Sequence, residues 1–532
     1  MNKAFARLRT AALAAAVVLA TAAAAHAEMV LHRGNAAEPG TLDPHKASGT
    51  WENNILGDLF LGLTTEAADG SIIPGAAESW TVSDDGKTYT FKLRDGLKWS
   101  DGEPVTAEDF VFSIHRILDP AFKAEYAWIL YVIENAEEYN TAKETDASKI
   151  GARAIDARTL EIKLKAPAPY FIAQLTHYTA YPVPKHSIEK LGDDWLKAGN
   201  MVSNGAYTLA EWVPNDHIKV VKNPNFYDAA NVKIDTVYFY PTEDQDAALQ
   251  RFRAGEIDTQ DDFASESIDL LRKELPNETR ISPYLGIYYY VFNIAKNEAF
   301  KDLRVREALS MAVNREAITD QVLKTGELPA YSFVPPGTVN YGGPSYIAWK
   351  DMPYNERVEK AKALLAEAGY GPDNPLKFQL RYNTSINHEK IAIAVQAMWK
   401  AIGVEADLFN SETAVHYNDL EAGNFDVARA AWIADYNDAQ TFLGLLETRA
   451  GPQNYGRYSN PQFDDLMAKA SVEGDLTTRG KLMADAEAIA MAEQPVIPIY
   501  YYVSKDLVST KVAGWVDNVF NIHRTRWMTV DR

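Results

Sequence analysis

Cysteine is absent from all 532 residues. That excludes disulfide bridges, a thiol nucleophile, a thiolate metal site and the lipidated cysteine that anchors a lipoprotein. Long apolar runs are also scarce. Beyond the first 27 residues no segment reaches the roughly 20 apolar residues that span a bilayer, so membrane insertion is not expected. The phosphate loop G-x-x-x-x-G-K-[ST], the nucleophile elbow G-x-S-x-G and the zinc helix H-E-x-x-H are all missing. The 10 histidines are scattered, and the spacing of His177 and His186 suits no short metal motif. Acidic doublets such as Asp84-Asp85, Asp261-Asp262 and Asp464-Asp465 read as turns or helix starts rather than as a glycosidase pair, whose members come from distant segments. Nothing here asks for catalysis, a metal or a cofactor, and the chain reads as a non-enzyme. Basic residues are in deficit too, with 53 Lys and Arg against 73 Asp and Glu, a formal charge of −20. A body this acidic repels nucleic acid and anionic lipid headgroups.

What is present begins with a leader. Lys3, Arg7 and Arg9 precede an apolar run from Ala11 to Ala25, and Ala25-His26-Ala27 offers the small-x-small pattern of signal peptidase sites. Cleavage after Ala27 is expected. It removes three basic and no acidic residues, so −20 becomes −23. Export without a lipid anchor makes the protein a freely diffusing resident of the periplasm. The remaining length exceeds a single core, which stops growing at roughly 250–300 residues, so two or three lobes are expected. The composition is that of a folded chain, 47% hydrophobic and 24% charged, with 28 Tyr and 11 Trp.

Strands and helices alternate throughout, which indicates α/β lobes. Glu78–Val82 and Thr88–Leu93 flank Asp84-Asp85-Gly86, a hairpin signal. Thr106 caps a helix with Asp109 in the box position, and its inward face is Phe110, Ile114 and Ile117. Gly369 ends a helix that carries Ala363, Leu364 and Ala368. Leu376–Tyr382, a helix from His388 to Ala401, and Val404–Phe409 compose a βαβ unit. Phe425–Arg429 is a further strand.

Six stretches in order resemble the solute-binding proteins of peptide and nickel ABC importers. They are Glu38-Pro39-Gly40-Thr41-Leu42-Asp43-Pro44-His45, Leu93-Arg94-Asp95-Gly96-Leu97-Lys98-Trp99-Ser100-Asp101-Gly102, Ser203-Asn204-Gly205-Ala206-Tyr207, Arg251-Phe252-Arg253-Ala254-Gly255-Glu256-Ile257-Asp258, Arg304-Val305-Arg306-Glu307-Ala308-Leu309 and Leu365-Ala366-Glu367-Ala368-Gly369-Tyr370. Tyr288-Tyr289-Tyr290, Tyr382-Asn383-Thr384-Ser385, the run from Phe425 to Asn437 and Ile497-Pro498-Ile499-Tyr500-Tyr501-Tyr502-Val503 are similar to the oligopeptide-binding branch. The resemblance implies a two-lobed binding-protein fold of the cluster-C type with an extra third domain. Domain I would be discontinuous (28–60, 187–287, 503–532), domain II would span 61–186 and domain III 288–502, with the ligand in a hinged cleft. It also implies short peptides as ligand, permease and ATPase subunits as partners, and a monomer. A murein-peptide receptor, or a sensory binding protein without transport, stays open as an alternative.

A zwitterionic peptide needs a carboxylate for its ammonium, a cation for its carboxylate and a strand edge for its amides; leaving these unpaired would cost roughly 1–3 kcal/mol per buried polar group and more per charge. By the resemblance, Asp435 holds the ammonium, with Asp438 as a neighbouring decoy. Ala431, Trp432 and Ile433 present backbone, as do Ser48, Gly49 and Thr50 opposite. Arg429 and His388 meet the C-terminus, and Tyr126 and Tyr289 wall pockets. Taken singly, Asp435 is equally a turn residue, Trp432 core, Arg429 half of an internal salt bridge and His388 an ordinary helix start. The chain departs from the family pattern at Ser48, where an acid is usual, at Thr413 for a tryptophan, at Leu420 for a base, near Asp261 for a tyrosine, and at Gly286 and Ile433 for a cysteine pair. Asp261 and Thr413 suggest pockets tuned towards basic or bulky side chains.

Overall fold

The computed structural model describes residues 28–531. The leader expected at 1–27 lies outside them. Two long strands, Thr279–Phe292 and Val496–Val508, run antiparallel through the middle of the molecule and belong to both of its halves. On one side Val496–Val508 pairs with Thr259–Asp261, and the sheet continues through Val30–Asn35, Thr236–Pro241, His217–Lys222 and Tyr207–Val213. On the other side Thr279–Phe292 pairs with Val427–Ile433, then Lys377–Asn383 and Glu405–Ser411 follow. The fold is therefore two-lobed α/β, with the crossing strands as the joint. Their register slips between Pro283 and Ile287 and again between Tyr288 and Tyr289. Such bulges bend a strand and increase its twist where one sheet passes from lobe to lobe.

Local sequence explains the elements that carry the site. Asp109 accepts from the Thr106 N–H at 2.8 Å and the Thr106 hydroxyl at 3.0 Å, which starts the helix Ala107–Leu118. That helix buries Phe110, Ile114 and Ile117, as their spacing requires. The expected hairpin is Ala77–Val82 with Thr88–Leu93, inside a four-stranded antiparallel sheet of its own. Helix Tyr354–Glu367 stops before Gly369, whose φ of +90° suits a residue with no Cβ. Lys377–Asn383 and Glu405–Ser411 are parallel, joined by the helix Ile386–Lys400, whose Ile391, Val395 and Trp399 pack inwards. The strand expected at Phe425–Arg429 is displaced and longer, Val427–Ile433, because the crossing strand offers a partner from Phe292 back to Gly286. A separate small core gathers Leu249, Phe252, Phe263 and Leu507 in the opposite lobe. Among the described residues no helix is long and apolar enough to cross a membrane.

Candidate ligand cleft

Strand Val427–Ile433 is paired unequally. Along Thr279–Phe292 it is matched from Val427 to Ile433, but its register with Lys377–Asn383 ends at Ala428. The Arg429 carbonyl is taken by His416 Nε2 at 2.9 Å. Beyond it the outer edge of the strand has no strand beside it among the described residues. The Ala434 N–H donates to the Leu285 carbonyl at 2.8 Å, so by the two-residue period Ala431 and Ile433 turn their backbone groups to the open side. That side is a cavity of ≈ 300 Å³, lined by Ala431, Trp432, Ile433 and residues of the facing lobe.

Asp435 stands at one end of this edge, its side chain 8% exposed. Thr441 accepts from the Trp432 indole at 3.2 Å and the Asp435 N–H at 3.3 Å, and donates to Asp435 Oδ2 at 3.0 Å. One hydroxyl thus orients both site residues. Across the cleft, Tyr126 donates to Asp435 Oδ1 at 3.4 Å, and His177 Nε2 lies 3.3 Å from the same oxygen. The Tyr126 ring stacks between His177 at 5.3 Å and Trp432 at 5.8 Å. Burial and the Asp435 charge hold the Tyr126 phenol well above its ordinary range, so it stays a donor. Asp438 has a different role: Arg479 grips it at 2.7 and 2.9 Å with both side chains fully buried.

Arg429 marks the other end, about 20 Å along an extended strand from Asp435. Its guanidinium donates to Asn383 Oδ1 at 3.1 Å and to the hydroxyls of Tyr417 at 3.0 Å and Tyr502 at 2.8 Å, and it lies over the Tyr288 ring. No carboxylate lies within 4.0 Å of it among the described residues, which removes the internal salt bridge as its explanation. Its Nε has no partner. A buried cation solvated only by neutral groups is costly unless an anion arrives. His388 lines the same cavity, and its Nδ1 is also unpartnered. Burial, then Arg429 and Lys505, push its imidazole well below the usual histidine range, so it sits there neutral.

One expectation narrows and one needs correction. Ser48, Gly49 and Thr50 line the cavity. Gly49 caps the helix Thr50–Leu59, its N–H donating to Glu52 Oε2 at 2.8 Å and its carbonyl accepting from Asn53 at 3.1 Å, so its backbone is already spent. Tyr289 is not in the cleft. Successive strand residues alternate faces, and while Tyr288 stacks on Tyr500 beside His388, Tyr289 turns away to Phe333 at 5.1 Å. Thr413 does line the cavity, whereas Leu420 is in the core. Gly286 and Ile433 are register partners, and a Cβ on Gly286 would lie 2.4 Å from Ile433 Cδ1, the movable end of that side chain, and 3.0 Å from the Trp432 carbonyl oxygen. Sequence reasoning missed Thr441, His177, Tyr417 and Lys505 as site residues. None belongs to a motif; folding brings His177, Tyr417 and Lys505 to the cavity wall and Thr441 behind it against Asp435 and Trp432.

A two-lobed α/β fold with an inter-lobe cavity and a charged group at each end of an open strand edge defines an extracellular solute-binding protein. Residues 71–454 match the profile of the bacterial extracellular solute-binding proteins, family 5, and the chain belongs to that family. It is 41% identical over 522 residues to the periplasmic murein peptide-binding protein of Escherichia coli, covering 97% of this chain and 96% of that one. It is also 41% identical over 504 residues to the periplasmic oligopeptide-binding protein of Salmonella typhimurium, covering 93% and 92%. The solved structure of the Escherichia coli murein tripeptide-binding protein superposes with a TM-score of 0.92, at 40% identity over 95% of this chain and 99% of that one. The unliganded open form of the same protein, covering 95% and 98% at 40% identity, reaches only 0.66. The lobes here are therefore not set apart as in that open form. These relatives are periplasmic binding proteins, which supports a periplasmic location for this chain.

Proposed function

We propose that the protein is the periplasmic binding component of an ABC importer, taking short peptides with little regard for side chains and passing them to a permease whose ATPase subunits drive transport. The observation that carries this reading is the pairing of Asp435 with Arg429, a carboxylate and an uncompensated guanidinium at opposite ends of a free strand edge. A peptide satisfies all three at once: ammonium to Asp435, carboxylate to Arg429 with His388 beside it, and amides to Ala431 and Ile433. Main-chain pairing gives affinity without reading side chains. A murein peptide meets the same two ends and remains the second reading, supported by the Escherichia coli relative.

On this reading residues 1–27 direct export and are removed, and the mature monomer is free of lipid. Segments 28–60, 187–287 and 503–532 move as one lobe against 288–502, with 61–186 as the third domain. Closure is stabilised because only then do groups from both sides of the cleft reach the ligand, as Tyr126 and His177 of the third domain reach Asp435. Calorimetric titration of ligand-stripped protein with tri- to pentapeptides tests this. Binding is expected, and amidating the peptide C-terminus should weaken it about 30-fold or more, as removal of one partner from a buried charge pair does. No binding by any peptide, or indifference to amidation, overturns it.

A further inference from the structure

Residues 61–186 are fastened to the lobe that holds both chain ends. Arg524 donates to Glu66 at 3.2 Å and to the Asn53 carbonyl at 2.7 Å, and Arg116 holds Asp43 at 2.6 Å. The Asn204 side chain bonds both backbone groups of Leu61, at 3.0 and 2.9 Å. Against the other lobe, the one carrying Asp435 and Arg429, the same segment makes a further set of contacts beside those of Tyr126 and His177. The Tyr170 ring stacks on Tyr436 at 5.2 Å and receives the Arg479 guanidinium at 4.8 Å. Trp128 Nε1 donates to Gln453 Oε1 at 2.5 Å, and Arg449 reaches Glu137 at 3.1 Å. Glu125 and Glu421 also meet there through a side-chain hydrogen bond. Burial first, then Glu125, raises Glu421 to about 8, so at neutral pH the two share a proton and do not face each other as two charges.

None of these residues lines the ligand cavity. Tyr170, Trp128, Tyr436 and Gln453 are nevertheless all buried, because the two surfaces cover one another. A segment tied to one lobe and seated on the other cannot stay seated when the lobes part, so opening returns two aromatic faces and an indole donor to water. Gly444 shows how tightly the surfaces fit. A Cβ there would lie 2.9 Å from Trp128 Cζ3, with its own neighbour Gln440 Nε2 next at 3.3 Å. Its φ of −54° is ordinary helix, so alanine suits the backbone and the facing indole is the chief obstacle. Asp438 acquires a purpose as well: by pairing with Arg479 it fixes the guanidinium that Tyr170 meets.

We propose that residues 61–186 act as a clasp: Tyr170 on Tyr436 and Arg479, with Trp128 on Gln453, hold the lobes together through contacts that bypass the ligand and set the affinity for every peptide by one common factor. This rests on the opening and closing of the peptide-binding reading above. The clasp is made in the closed complex whichever peptide is held, so loosening it weakens all ligands alike. Gly444→Ala drives a methyl group against Trp128, and Tyr170→Leu removes the ring while keeping apolar bulk. Gln453→Met, which takes away the acceptor of the indole, stands in for either variant that does not fold. The test is calorimetry of each ligand-stripped full chain with tri-alanine, penta-alanine and N-acetylated penta-alanine. Every Kd should rise by about threefold or more, by factors that agree to about twofold. Equal factors for free and acetylated peptide separate the clasp from an effect passing through Thr441 to Asp435. Wild-type affinities in both variants would overturn the clasp, and so would a loss confined to one peptide length or to free amino termini. Should no peptide bind any of these proteins, the peptide reading falls and small-angle X-ray scattering decides the clasp. The ligand-free variants should then show a larger radius of gyration than wild type, and equal radii would overturn it.

Discussion

Replacing Asp435 by asparagine removes one charge and almost no volume. The amide oxygen can take over the Thr441 hydroxyl, and Trp432 keeps its own bond to Thr441, so the local fold should persist. Binding is another matter. With the carboxylate only 8% exposed, an ammonium placed against it is largely desolvated. Truncating one partner of such a pair costs about 2–5 kcal/mol. Asparagine retains a dipole, so the lower part of that range, about 2–3 kcal/mol, applies, a loss of roughly 30- to 150-fold. The assay is a double cycle by calorimetry, in which free and N-acetylated peptide are titrated into wild type and Asp435→Asn. Acetylation should weaken the wild type by about the same amount and the variant much less, giving a coupling of about 2 kcal/mol. Effects that add to within about 0.5 kcal/mol would mean that the ammonium lies elsewhere.

Three further outcomes follow from the same structure. An N-methyl scan of a bound peptide should show a period of two, with amides facing Ala431 and Ile433 losing about 1–3 kcal/mol each and those between them losing little; a uniform profile would dismiss strand pairing. Asp438→Asn strands Arg479 in the interior and should destabilise the fold by about 3–5 kcal/mol in denaturant titration, with part recovered in Asp438→Asn/Arg479→Met; a shift below about 1 kcal/mol would contradict the buried pair. His416 is held down to about 3, first by burial and then by Arg429 and Arg381 against the pull of the Arg429 carbonyl. Below its ordinary value near 6.5 the unfolded chain takes a proton that the fold refuses, so this group costs stability as pH falls. From pH 7 to 5 the stability advantage of wild type over His416→Gln should shrink by about 2 kcal/mol, and a flat difference would argue against a neutral buried imidazole.

The elements legible in the sequence are those whose signals are local. The Asp84-Asp85-Gly86 turn, the Thr106 and Asp109 cap, and Gly369 after a helix each depend on neighbours a few residues away. Asp435 and Arg429 could be singled out because a run of similar residues surrounds them. What could not be read depends on register. In Tyr288-Tyr289-Tyr290 three identical side chains hide the parity that sends the middle one to Phe333. Asp261 and Asp506 are 245 positions apart and meet only because two strands align. Ser48-Gly49-Thr50 is expected to present backbone to the ligand, but Glu52 sits where its carboxylate takes the Gly49 N–H, and a helix starts at Thr50.

The most direct test is mass spectrometry of whatever is released when the protein, purified from its own host without added ligand, is denatured. The account expects a mixture of short peptides with free amino and carboxyl termini and varied side chains. Release of only a sugar, a metal chelate or another molecule lacking a free amine would leave Asp435 without a purpose and contradict the assignment of the cleft.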